Sequence, residues 1–457
     1  MPQRMSLSFF GEALFWKELT MIQDQVKRAV LAAVEDLSTE LTELVSHIVQ
    51  IPSITPNYGA DIVKDDVLGG ETRVNEFLKA VMAEMGLETD LWEEEAGRAN
   101  LVGVCRGSGG GKSLLFNGHV DVVPPGPEEL WTEAGPWSGQ VANGKIYGRG
   151  ACDMKGGIGA AIIALKALLK EDYKPKGDVT IQSVVGEEMM DEAGTRAVIK
   201  RGYSADGGIV VEPSAPPYRL GILTASPGVM VAKITVKGKA AHTCMRDELI
   251  RAGGAGAQVA VSAMDKAFLI YQGLLRLEEE WGQTKRHPAF TRPGHFTLCP
   301  TTFHSGVGIA SIPENCVMEY VVWHAPQETA KQVKAEVEAH IDRWAQTDPW
   351  LRENPPEVDW GTFWWPPHSV PADAPICRTV AAAYENAMNE PARFYGFAAV
   401  DDATFLNQAG VPTITIGPGH IGNAHAVNEY VEIEELIDAS KVYALSIVEW
   451  CGVESKH

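Results

Sequence analysis

The sequence predicts an α/β protein: a main domain with a mostly parallel sheet flanked by helices, interrupted by a smaller inserted α+β domain. Three features of the chain point to this class. Short apolar runs bounded by turn residues alternate with helix-length stretches up to about Ala225. The alternation resumes after about Val370. Between the two, the order becomes strand, helix, strand, strand, helix, strand, which is the ferredoxin-like arrangement. The expected division is 1–225 with 371–457 for the main domain and 226–370 for the insert.

Each element has its own local warrant. Ser113 to His119 is a short run rich in Leu and Phe and reads as a buried strand. Gly156-Gly157 opens a helix expected to run to about Leu169. Val179 to Val185, Gly207 to Val211 and Val411 to Ile416 are further apolar strands, and a helix over Ile433 to Trp450 should cover the sheet. Within the insert, Gly228 to Val236 alternates as a half-buried strand, followed by a helix over about Gly256 to Glu280. Strand-like runs at Phe296–Thr302 and Cys316–Trp323 come next, then a helix from about Gln327 to Gln346 and an extended run at Pro356–Trp360.

Bulk properties narrow the function. With 457 residues the chain has room for two domains. A net charge of −21 argues against a nucleic-acid partner, whose phosphates demand a basic surface. Seven scattered cysteines, with no C-x-x-C pair, form neither a disulfide framework nor a zinc-finger module. A reducing compartment, the cytoplasm, is the expectation. The apolar patch Leu7 to Trp16 is broken by Glu12 and lacks a small-residue cleavage site, so it is a poor signal peptide and too short to span a bilayer. An amphipathic helix or an oligomer contact is expected there, and no membrane partner.

Chemistry-bearing side chains gather at the ends of these strands. His119 and Asp121 in Gly118-His119-Val120-Asp121 are two apart, so on a strand they share a face. Asp153 sits in a glycine-flanked turn, Cys152-Asp153-Met154-Lys155-Gly156-Gly157, where a carboxylate could bridge two cations. Glu187 and Glu188 follow a buried strand, and as neighbours they point in different directions. Glu212 and His425 lie beyond two further strands. Alone, each is as well explained by a solvated turn or loop. Carboxylates and two histidines at sheet ends are together what a pair of borderline divalent metals needs.

On these five segments the chain resembles the M20 metallopeptidase family, the acetylornithine deacetylase, succinyl-diaminopimelate desuccinylase, aminoacylase and carboxypeptidase G group. The likeness runs from Ile51-Pro52-Ser53 to Ala424-His425 and Asn428-Glu429-Tyr430-Val431, with the motifs in the family's order. It implies that His119 and Glu212 hold one metal, Glu188 and His425 the other, and that Asp153 bridges them, with a cis peptide after it. Asp121 would orient His119 and Glu187 would be the general base. The cofactors implied are two divalent ions, zinc first, with cobalt or manganese as alternatives. The activity implied is hydrolysis of an N-acyl amide bond of a small molecule. A di- or exopeptidase and an aromatic amide hydrolase are alternatives, and a non-catalytic binding protein on the same fold is a remote one.

The insert would be the family's lid, whose His242 in Gly238-Lys239-Ala240-Ala241-His242 reaches the partner's active site in a homodimer. At one point the chain departs from the family. Relatives often carry an Arg in a lid strand shortly before a Pro, to clamp a substrate carboxylate. Here the stretch is Glu319-Tyr320-Val321-Val322-Trp323-His324-Ala325-Pro326, with no Arg. Either Arg246, Arg251 or Arg292 replaces it, or the substrate has no α-carboxylate. Trp323, Trp364 and Trp365 could line an aromatic wall, or simply pack.

Overall fold

The computed structural model describes residues 24–56, 58, 62–214 and 218–455. The N-terminal patch at 7–16 lies outside them. The chain divides into two compact units. The first contains the described residues up to Thr224, with Val370–Phe394 and those from Asp401 on; the second contains Ala225–Ser369 and Tyr395–Val400. The grouping of 395–400 with the second unit is a detail that strand and helix periodicity does not signal. Among the described residues, no helix is long and apolar enough to cross a membrane.

The first unit begins with helices α1 (Ser38–Val49) and α2 (Gly70–Glu84), then strands β1 (Glu88–Glu95), β2 (Arg98–Cys105) and β3 (Leu114–His119). Helix α3 (Gly156–Lys170) and strands β4 (Val179–Val184), β5 (Gly207–Val210) and β6 (Ile222–Ser226) follow, the last two residues of β6 falling in the second unit. Strands β2 to β6 are buried along their whole length, which is why their apolar residues do not alternate with solvent-facing ones. Helix α3 lies close to the strand ends because Gly157 has no side chain: a Cβ there would stand 2.0 Å from the Val211 carbonyl oxygen.

The second unit contains β7 (Gly228–Lys237), α4 (Ala263–Thr284), β8 (Leu298–Ser305), β9 (Asn315–His324), α5 (Ala330–Ala345) and β10 (Glu357–Asp359). Its sheet runs β8-β9-β7-β10 with antiparallel neighbours. Trp281, Tyr320, Met230 and Leu274 pack in its core. Helix α4 starts at Ala263 rather than near Gly256, because the Ser262 side chain accepts the Asp265 N–H and sets the N-terminus there.

The chain returns to the first unit with α6 (Pro375–Met388), β11 (Thr413–Thr415) and α7 (Ile433–Cys451). The main sheet runs β1-β2-β4-β3-β5-β11-β6. Its centre, β4-β3-β5-β11, is parallel, and β2 and β6 flank it antiparallel. Four neighbouring strands therefore end on the same side. In an open α/β sheet that carboxyl edge is where ligands bind.

Candidate metal centre and active site

Each of the four parallel strands delivers a side chain to this edge. His119 is the last residue of β3; Glu187 and Glu188 follow β4; Glu212 follows β5; His425 lies in the loop after β11. Asp153 comes from the turn before α3, just past Gly150 in the left-handed region, and the Asp153–Met154 peptide is cis.

His119 Nε2 stands 3.1 Å from Asp153 Oδ1 and 3.1 Å from Glu212 Oε1. His425 Nε2 stands 3.4 Å from Asp153 Oδ2 and 3.0 Å from Glu188 Oε2. The two oxygens of Asp153 thus face different histidines. Two groups result, His119/Asp153/Glu212 and Asp153/Glu188/His425, each with its donor atoms within 4.8 Å of one another. Glu187 belongs to neither, although its Oε2 lies 3.8 Å from His119 Nε2.

Asp121 meets His119 mainly through its backbone. The acceptor for His119 Nδ1 is the Asp121 main-chain carbonyl, at 2.9 Å, while its carboxylate oxygen is 3.5 Å away. A carbonyl only accepts, so Nδ1 carries the hydrogen. Burial would lower the ring pKa, but Nε2 faces two acids, which draw it well above its ordinary value, and a cation arriving there would displace the Nε2 proton. The carboxylate instead accepts the backbone N–H of Glu187 (3.2 Å) and Glu188 (3.1 Å) and so holds the turn that bears both acids.

The charge balance of the cluster calls for cations. Burial pushes the carboxyls of Glu187 and Glu212 well above the ordinary range, and Glu188 is raised as well. Burial would raise Asp153 too, but hydrogen bonds from His119 and His425 outweigh it and hold the group below its usual value. Asp153 and Glu188 draw His425 up to about 10. Among the described residues, Glu188 Oε1 and Glu212 Oε2 are buried without a hydrogen-bond donor. Unmatched carboxylate oxygens in a set of only imidazole and carboxylate donors fit divalent cations.

Several supporting residues carry no signal that sets them apart in sequence. Glu429 accepts the N–H groups of Gly150 (2.9 Å), Cys152 (3.0 Å) and Asp153 (3.2 Å) and pairs with Arg149. It belongs to the Asn428-Glu429 pair on which the likeness to the M20 family rests, but the sequence assigns it no role. Lys155 is buried, with Nζ donating to the carbonyls of Ile48 and Ile51 at 2.9 Å, and burial brings its ammonium down to about 7. Asp402 is buried as well and accepts the Thr195 hydroxyl at 2.7 Å.

In the second unit, His242 is exposed and its Nδ1 accepts the Cys244 N–H at 3.2 Å, a capping contact. Arg246 and Arg251 pair with Asp265 and Glu248. Trp365 is buried and Trp364 is exposed, so of these two tryptophans one packs and one stays open.

Comparison with known proteins agrees with this geometry. A profile of peptidase family M20/M25/M40 matches residues 115–449. The N-formyl-4-amino-5-aminomethyl-2-methylpyrimidine deformylase of Halalkalibacterium halodurans is 33% identical over 442 residues, covering 94% of this chain and 99% of the relative. The Bacillus subtilis deformylase of the same name is 34% identical, covering 83% and 89%. A succinyl-diaminopimelate desuccinylase of Alkalilimnicola ehrlichii is 27% identical, covering 73% and 82%. The fold resembles a tripeptidase of Staphylococcus aureus, with a TM-score of 0.67 at 20% identity over 90% of this chain and 98% of that one. The chain belongs to peptidase family M20/M25/M40 and is a hydrolase of amide C–N bonds.

Proposed function

We propose that the chain is a di-metal amidohydrolase that removes a small N-acyl group, formyl foremost, from an amine without an α-carboxylate, such as an aminomethylpyrimidine. The observation that carries the chemistry is the pair of donor groups sharing Asp153, with Glu187 beside them and in neither. His119 and Glu212 would hold one ion and Glu188 and His425 the other, with Asp153 common to both groups. Zinc suits these donors first, with cobalt or manganese as alternatives. Bound divalent cations supply Lewis acidity, polarising the substrate carbonyl and easing deprotonation of water.

The chain's own residues move the proton. Glu187 takes it from the attacking water as the C–O bond forms, then delivers it to the amine nitrogen as the C–N bond breaks. The products are a carboxylate and a free amine. Glu187 can serve both steps because it lies beside the donor groups and belongs to neither, which leaves its carboxylate free to take and return a proton.

Two observations support the substrate class. The deformylases matched above act on a formylated aminopyrimidine by name, and residues 319–326 of this chain offer no guanidinium to a carboxylate. In the same reading, residues 226–370 form a lid through which two copies pair. The exposed His242 of each then serves the other's substrate carbonyl. Seven free cysteines fit a cytoplasmic location.

Hydrolysis of matched substrates by the metal-reconstituted protein tests the substrate class. An N-formyl aminomethylpyrimidine should exceed N-acyl amino acids in kcat/KM by at least about tenfold, roughly 1.4 kcal/mol in transition-state binding. Preference for the carboxylate-bearing substrates would overturn that class and point to a replacement clamp.

A further inference from the structure

Strand β2 presents Arg98 and Asn100 two residues apart, so both side chains leave the same face. Both are buried, and both reach the segment that follows β4. Asn100 ties the two ends of that segment together. Its Oδ1 accepts the Val185 N–H at 3.2 Å, and its Nδ2 donates to the Ala193 carbonyl at 2.6 Å. Arg98 takes the middle. Its guanidinium pairs with Asp191 while gripping Glu71 of α2 through two parallel bonds of 2.6 and 2.7 Å.

Asp191 closes the loop. Its carboxylate accepts the Ala193 N–H at 2.8 Å, and its own N–H donates to the Gly186 carbonyl at 3.0 Å. Gly186, with φ of 75°, leaves room for it: a Cβ there would stand 2.2 Å from an Asp191 oxygen. Inside this brace sit the amides of Glu187 and Glu188, both on the Asp121 carboxylate.

Neither Arg98 nor Asn100 belongs to the donor groups. A buried arginine is an expensive way to gain stability, since desolvation offsets most of its attraction to the acids. Its geometric effect is specific, because a forked guanidinium fixes two partners in one plane. We propose that Arg98 and Asn100 are positioning residues of the active site. They hold segment 185–193 so that Glu188 faces His425 while Glu187 stays clear of both donor groups. The proposal rests on the assignment of Glu187 as base and Glu188 as ligand.

The test uses Asn100→Asp, Arg98→Lys and Asp191→Asn in the full chain, with Glu187→Gln as reference. Asn100→Asp keeps the acceptor for Val185 and loses the donor to Ala193. Asp191→Asn lies at a partly exposed site and leaves the acceptor for Ala193 in place. Hydrogen exchange of the metal-free protein should quicken across 185–193 alone. In the zinc-loaded protein, kcat should fall by up to about 10²-fold with KM little changed, as expected of a small misplacement. Arg98→Lys, which loses the fork to Glu71, should show a larger effect than Asp191→Asn, which keeps the acceptor for Ala193.

Unchanged exchange across 185–193, or exchange raised alike throughout the fold, overturns the proposal. So does wild-type kcat in all three variants. Full activity of Glu187→Gln would sink the base assignment instead, and the exchange pattern would still decide the brace.

Discussion

The two units bury polar groups in opposite ways. In the main unit several buried acids converge on one edge of the sheet, and two carboxylate oxygens there have no donor among the described residues. In the insert the buried polar groups include neutral imidazoles: burial depresses His324, His340 and His368, the last to about 3. An apolar core tolerates an uncharged ring that finds a hydrogen bond, as His340 does with the Gly273 carbonyl at 2.9 Å. A cluster of like charges is tolerated only where something of opposite sign arrives. The difference separates a unit whose sheet edge is suited to cations from one whose buried polar groups are neutral.

The largest test of this contrast is Glu187→Gln. Activity should drop by about 10²–10⁴-fold, the usual share of general acid–base catalysis, with both metals retained. Metal analysis beside kcat checks it, and full activity or lost metal would reassign the pair Glu187/Glu188.

Metal removal comes next. A saturating cation should stabilise the main unit by about 2.7 kcal/mol at a hundredfold excess over Kd. Chelation should lower its melting temperature and leave exchange in the insert's core unchanged. Equal protection of both units by metal would break the comparison.

Within the centre, the two donor groups differ in exposure. His119 is buried, whereas 49% of the His425 side chain is exposed. His425→Ala should therefore lose one metal equivalent with little change in the metal-free melting temperature. His119→Ala should lose metal and also destabilise the metal-free fold by about 1–3 kcal/mol, because it strips hydrogen bonds from buried acids. Equal stability of the two variants would contradict the difference in burial.

The smallest effect concerns the insert in acid. The folded His368 pKa lies below the unfolded value of 6.5, so the unfolded chain binds the extra proton between about pH 6.5 and 3. This contribution to stability is complete above 6.5 and falls away by about 1.4 kcal/mol per pH unit below it. Urea unfolding at pH 7 and pH 5 measures the slope, and His368→Gln should flatten it.

Much of this protein was legible as a sequence, for a local reason. A strand buried on both faces is an apolar run, and the residues just beyond it are the ones a parallel sheet exposes at its edge. Those two facts marked out His119, Glu187, Glu188, Glu212 and His425 together with the strands that carry them. The likeness to the M20 family added the order of the motifs.

Contacts between distant segments were beyond local reading. Nothing in a single residue's identity told that the Asp121 carboxylate serves the amides of residues 187 and 188 while its carbonyl serves His119. Glu429 looked like any loop acid until folding buried it against the Asp153 turn, and Arg98 looked like any surface cation. Burial and hydrogen-bond partnership belong to the assembled chain, because they depend on which segments meet. The sequence determined the fold class and the set of chemical groups; the tertiary structure alone decided which oxygen faces which nitrogen.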